Sequence, residues 1–279
     1  MITGGAKFFQ RSLSLFSDEE LTVVATSGTA SAQRALDRNK VTYWRSVGSN
    51  DTVTETFTIT WDNDITFDRL LLIDHNFKEF NVQYDVAGVW THFASVIGIG
   101  GSLANISETV FAEDSAYYEF TPVTTDSIRL QVVKTQVANE EKYLNQFIVT
   151  NELGTLEGYP DISGVEWSRN ERSKKMLSGK VLSLKGEETF KCSMNFRNYP
   201  ASLSDDIDLI FSLFDSEETF LLWLCGGRHG SDYFRKALRG WRLRDVFSMQ
   251  TVGGINPDYT SNSYILPVNF KFNMVESVD

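Results

Sequence analysis

Three histidines, two cysteines and a band of aspartates are the side chains of this 279-residue chain whose types could support chemistry. His75, His92 and His229 form neither the H-x-x-x-H nor the H-E-x-x-H spacing that places two imidazoles on one zinc ion. Cys192 and Cys225 each lie inside an apolar run and read as small buried hydrophobes; nothing indicates a disulfide. The stretch DNDITFD gathers Asp62, Asp64 and Asp68 in the oxygen-rich crowding that calcium favours, but it reads better as a polar turn between two strands. Asp37, Asp62 and Asp64 are the residues a cation would use, and none is expected to hold one. GIGGS, at residues 98–102, lacks the lysine and the strand-to-helix context of a phosphate cradle and is expected to be a loop. A G-x-S-x-G elbow, a P-loop and a G-x-G-x-x-G run are all missing from the sequence, and paired carboxylates cannot be assigned without a cleft to separate them. The sequence therefore predicts a protein that is not an enzyme and needs no cofactor.

The formal net charge is −11, and the excess acid lies in residues 1–153. Such a surface repels a phosphate backbone, which excludes nucleic acid as the expected partner. The exception is RHGSDYFRKALRGWRLRD, where Arg228, Arg235, Arg239 and Arg242 surround Trp241. In so acidic a chain this cluster is expected to face acidic surfaces of neighbouring subunits. No run of about 18 apolar residues is present, so no membrane span is expected, and MITGGAKFFQRSLSLF lacks the pattern of a signal peptide. Synthesis in a cytoplasm is the expectation.

The elements that would position these side chains are mostly strands. TVTETFTITW alternates, with Val53, Glu55, Phe57, Ile59 and Trp61 on one side. DRLLLI is a central-strand run; EFNVQYDV places Phe80, Val82, Tyr84 and Val86 on one face; SIRLQVV does the same with Ile128, Leu130 and Val132; NQFIVT closes the series. Short, frequent strands without intervening helices predict an antiparallel sandwich or jelly roll. Around TNELGTLEGYPDISG the period breaks, predicting domains at 1–153 and 154–279. Beyond it, ETFKCSMNFR alternates Phe190, Cys192, Met194 and Phe196 inward. YPASLSDDIDLIFSLFDS predicts one short α-helix, capped by Ser202 or Ser204, with Ile207, Ile210, Phe211 and Phe214 on its apolar stripe. TFLLWLCGG reads as a buried strand and YILPVNFKFNM as a final strand, with Pro267 placing it near a sheet edge. The fold class is mainly all-β: an N-terminal jelly-roll sandwich and a C-terminal β-rich domain with that helix.

Within SGTASAQRALDRNKVTYWRS, Ala32, Ala35, Asp37, Thr42 and Trp44 form an Ala-x-x-Ala-x-Asp stretch before a Thr-x-Trp motif. Together with FDRLLLIDHNFKEFNVQY and TDSIRLQV, this resembles the galactose-binding-like β-sandwich of discoidin and coagulation-factor C-type domains, over about residues 20 to 150. The resemblance implies a jelly roll that binds sugar, lipid or protein; Arg38 stands where that family usually has glycine after the aspartate. More loosely, Phe220 to Gly227, Trp241, Val252 to Gly254 and Tyr264 to Phe270 resemble tail proteins of bacteriophages and prophages. That likeness implies a virion tail-tip or baseplate component, made in the host cytoplasm, that forms a homo-oligomeric ring with other tail proteins. The jelly roll would then serve as an adhesion or spacer module, with a host-surface glycan as its ligand. The alternative is a free carbohydrate-binding protein. On either reading the sandwich loops are the place for a ligand, and Tyr43, Trp44, Arg45, Asp74, His75 and Asn76 are the candidates. Trp44 is expected to point inward and lid the core.

Overall fold

The computed structural model of the chain describes residues 6–14, 21–37, 39–48, 51–94, 97–99, 114–156, 161–175, 181–199, 220–223, 247–251, 256–258 and 268–276. The chain divides into two compact units. One comprises residues 1–3, 12–152 and 229–245; the other comprises residues 4–11, 153–228 and 246–279. Strand β1 (Ala6–Phe9) belongs to the second unit, although it precedes the first in sequence.

The first unit contains β2 (Leu21–Ala25), a 3-10 segment at Thr29–Ala35, β3 (Trp44–Arg45), β4 (Glu55–His75), β5 (Phe77–Val86), β6 (Val89–His92), β7 (Ile97–Ile99), β8 (Ala116–Thr135) and β9 (Tyr143–Thr150). All of its strand pairs are antiparallel. The long β4–β8 ribbon organises it. The two strands pair from Glu55↔Val132 to Leu72↔Ala116, with register breaks between Thr60 and Ile65 and between Phe67 and Arg69. Before the breaks β4 carries β2 and β8 carries β5; after them β4 carries β9 and β8 carries β7. The breaks thus form a corner at which the ribbon passes from one layer of a sandwich to the other, the role bulges serve in orthogonal packings.

The core lies between those layers. Phe57 of β4 meets Trp44 of β3 at 5.4 Å and Phe147 of β9 at 5.9 Å between ring centroids. Phe67 at the corner meets Phe93 and Phe120. The expected alternation is present, with Phe57, Ile59, Trp61, Phe80, Val82, Ile128, Leu130 and Val132 all buried. Three details differ from expectation. Val53, placed on the face of Phe57, lies ahead of β4 and is exposed. DNDITFD is not a turn between two strands but the bulged corner of one continuous strand, so Asp62 and Asp64 stand exposed on its outside. Val86, expected inside with Tyr84, is exposed at the end of β5.

The second unit adds β10 (Glu152–Leu156), β11 (Asp161–Lys175), β12 (Val181–Tyr199), β13 (Phe220–Trp223), β14 (Phe247–Thr251), β15 (Asn256–Asp258) and β16 (Val268–Glu276). They form one sheet in the order β10-β1-β13-β14-β16-β12-β11, with β15 on β16. The pairings from β1 through β13, β14, β16 and β12 to β11, and that of β15, are antiparallel as well, so the described residues of both units are all-β. Phe8 and Phe9 of β1 and the whole of β13 are buried, and Phe8 packs on Phe220 with ring centroids 5.9 Å apart. The final strand is not near an edge: β16 runs between β14 and β12. Pro267, the residue before it in sequence, falls outside the described residues. The α-helix expected around Ile207–Phe214 falls outside the described residues, as do the burial of Cys192 and its neighbours on β12 and the structure around Cys225.

Candidate ligand-binding site

The stretch from Gly28 to Arg45 builds one end of the sandwich. Gly28 takes a left-handed φ of 64° and opens the 3-10 segment, which buries Ala32 and Ala35, the two alanines of the motif, at no solvent exposure. A Cβ at Gly28 would stand 1.8 Å from the carbonyl oxygen of Arg45, so only glycine fits this crossing. Asp37 then closes the next turn: its carboxylate accepts the backbone N–H of Asn39 at 2.8 Å and the Thr42 hydroxyl at 2.8 Å. Asn145 of β9 fastens the same turn, donating to the carbonyls of Asn39 and Thr42. The chain beyond this clasp enters β3 with Trp44 inward. Trp44 has no solvent exposure, and its indole N–H donates to the carbonyl of Ser27 at 3.1 Å. The tryptophan closes the core, as expected, and no ligand can reach it.

Of its neighbours, Tyr43 is half-buried and Arg45 is exposed. The Tyr43 hydroxyl donates to Asp74 at 2.7 Å, and its ring meets that of Tyr143 edge-on at 5.6 Å. The Arg45 guanidinium lies 5.2 Å from the centroids of both tyrosines, within cation–π range. Asp74 adopts a positive φ of 49°, uncommon for a residue with a side chain, which presents its carboxylate to Tyr43 at the end of β4. Burial, and then the hydrogen bond and charge of Asp74, push the Tyr43 hydroxyl up to about 12. Burial and the nearby carboxylates, Asp74 first, also raise Tyr143. Both phenols therefore stay neutral donors. Arg45, Tyr43, Tyr143 and Asp74 together form a half-exposed patch of two aromatic rings, one cation and one carboxylate.

The other two candidates serve as supports. His75 and Asn76 are buried. Asn76 does not bond its own turn: its amide donates to the carbonyl of Glu141 at 2.8 Å and accepts the N–H of Tyr143 at 3.0 Å, placing Tyr143 beside Tyr43. His75 stacks on Phe77 at 4.7 Å, and its Nδ1 accepts the Phe77 N–H. Full burial pulls its pKa down to about 3, so it stays neutral. Tyr143 was missed in the sequence; its signal is a tyrosine at the head of β9, directly after the polar run ANEEK. Among the described residues no group of three or more His, Cys, Asp or Glu lies close enough to hold a metal ion, and Asp62 and Asp64 lie at the corner, not in the Asp37 turn. The basic cluster from Arg228 to Arg242, with Trp241, falls outside the described residues.

No family model matches the chain, and no curated protein matches its sequence. Several solved structures align with about half of it. A chitosan-binding module of a chitosanase/glucanase from Paenibacillus sp. IK-5 is 18% identical, covering 50% of this chain and 98% of that one at a TM-score of 0.39. A family 32 carbohydrate-binding module of NanJ from C. perfringens, solved with galactose, is 15% identical, covering 47% and 93% at 0.37. A protein assigned as an alpha-L-fucosidase from Bacteroides thetaiotaomicron is 19% identical, covering 51% of this chain but only 29% of that one, at 0.41. None of these three supports the tail-tip identity or the oligomeric ring that the C-terminal resemblance implied.

Proposed function

We propose that the chain is a non-catalytic glycan-binding protein whose sandwich takes a neutral sugar at the loop end of the first unit. The observation that carries this reading is the placement of Arg45 against both Tyr43 and Tyr143, with Asp74 fixed beside them. Aromatic rings accept the apolar face of a pyranose, while a fixed guanidinium donates to hydroxyls and a carboxylate accepts from them. The patch is shallow and preformed, which suits a small ligand bound weakly. Tyr43, Tyr143, Arg45 and Asp74 contact the sugar; Trp44, His75 and Asn76 hold them in place. This is the lectin-like alternative rather than the tail-component reading.

The test is a neutral-glycan array on the whole chain, followed by calorimetry on any hit. Arg45→Ala and Tyr143→Ala are each expected to weaken that hit by about tenfold or more, corresponding to about 1.4 kcal/mol. A hit that survives both substitutions unchanged, or no hit at millimolar glycan, overturns the reading.

A further inference from the structure

A second arrangement lies on the outer face of the layer β2-β4-β8-β5-β6. The register sets Val24 beside Thr58, Thr58 beside Arg129, Arg129 beside Gln83 and Gln83 beside His92. From Thr58 to His92 the row crosses three strand spacings of about 4.8 Å, or about 14 Å in all, enough for several sugar units.

Arg129 stands in the middle of the row and is held from two directions. Its guanidinium lies 4.4 Å from the centroid of the Trp90 ring. Its Nε and Nη2 both donate to Gln83 Oε1, at 2.8 and 2.6 Å. Because that oxygen accepts from arginine, the Gln83 amide nitrogen is the atom that faces His92 Nε2 at 3.2 Å. His92 Nε2 is then the acceptor of that hydrogen bond. The guanidinium is thus fixed in plane and in rotation, while the Nη1 side of its fork bonds to no group among the described residues. No carboxylate among them pairs with it either, and burial draws its pKa down through desolvation, uncompensated by an anion. A partly desolvated arginine, immobilised by a tryptophan and a glutamine with its fork open, is preorganised for a planar bidentate anion.

We propose that this face is a second binding site, for an oligosaccharide bearing carboxylates, in which the free edge of Arg129 takes the carboxylate of one uronic acid unit. Thr58 and His92, on either side, meet the hydroxyls of adjoining units. Trp90 and Gln83 are positioning residues that aim the guanidinium. The carboxylate matches the open planar fork, and the polar row matches a hydroxyl-lined chain better than an apolar peptide. The site shares no residue with the loop-end cluster, so each stands or falls separately.

Calorimetry on the whole chain with tetramannuronate and with mannotetraose of the same linkage tests it. The acidic tetramer is expected to bind at least tenfold more tightly than the neutral one. Arg129→Gln should abolish that preference, and Arg129→Lys should restore it only in part. A thermal melt of each variant establishes that it is folded. Equal binding of the two tetramers, a preference that survives Arg129→Gln in a folded variant, or displacement of the tetramer by equimolar inorganic sulfate would overturn the proposal.

Discussion

The carbonyl oxygen of Arg45 occupies the space a side chain on Gly28 would need, 1.8 Å from the position of its Cβ. Gly28→Ala therefore combines a left-handed backbone, costing roughly 1–2 kcal/mol, with a clash that pushes β3 outward. The expected outcome is a lower urea midpoint for the first unit, together with loss of any ligand contact that depends on Arg45. An alanine variant as stable as the wild type would show that β3 yields at no cost.

Trp44 fills the end of the core and also makes a hydrogen bond. Trp44→Ala is expected to cost about 3–5 kcal/mol. Trp44→Phe should cost less, because it keeps most of the apolar contact with Phe57 although it loses the hydrogen bond to the Ser27 carbonyl. Equilibrium unfolding by denaturant ranks the two, and equal losses would mean that the hydrogen bond, not the packing, dominates.

Buried His75 sets an acid limit. Its pKa in the folded protein, about 3, lies below the ordinary 6.5. As pH falls through that interval the unfolded chain takes up a proton that the folded one refuses, so stability present above 6.5 is lost progressively toward 3. His75→Gln should flatten the fall of melting temperature over this interval relative to wild type, whatever its effect at neutral pH. Parallel curves would place the acid sensitivity elsewhere.

Tyr43 offers a spectroscopic handle on the loop end. With its hydroxyl pushed up to about 12 by burial and by Asp74, its ionisation should come late in an alkaline absorbance titration. Asp74→Asn removes the charge and should bring that phenol down, with burial keeping it above its ordinary value. A titration unchanged by Asp74→Asn would mean the Tyr43–Asp74 contact does not persist in solution.

The sequence carried the strands of the first unit because their alternation is a local property: Phe57, Ile59 and Trp61 announce a face whatever they pair with. It also carried the inward turn of Trp44, through Asp37 and Thr42, whose contact is only five positions long. What it hid is long-range. The polar look of DNDITFD suggested a turn because a strand that changes layers must expose its corner, and composition cannot distinguish a corner from an end. The loop-end cluster was half legible: Tyr43, Arg45 and Asp74 were candidates, but Tyr143 joins them through the β3–β9 pairing with Arg45 and the bond to Asn76, across 67 positions. The row through Arg129 was invisible for the same reason, since register alone makes neighbours of Thr58, Gln83 and His92. Pro267 misled because the strand that follows it is paired on both sides.

Strand β1 pairs with β13, Lys7 opposite Trp223 and Phe9 opposite Leu221, while residues 12–152 fold as part of the other unit. During synthesis, Phe8 and Phe9 leave the ribosome before any of the sandwich, and their partners leave only after all of it. The sandwich can complete itself while these two apolar rings still wait for Phe220–Trp223, and the closure they wait for is entropically long. For that interval the segment ahead of the sandwich has β10 within reach but an open edge where β13 belongs, the kind of edge that invites pairing between nascent chains. The rate at which the later unit captures it, rather than the stability of either sheet, then sets how much of the protein escapes aggregation as it is made.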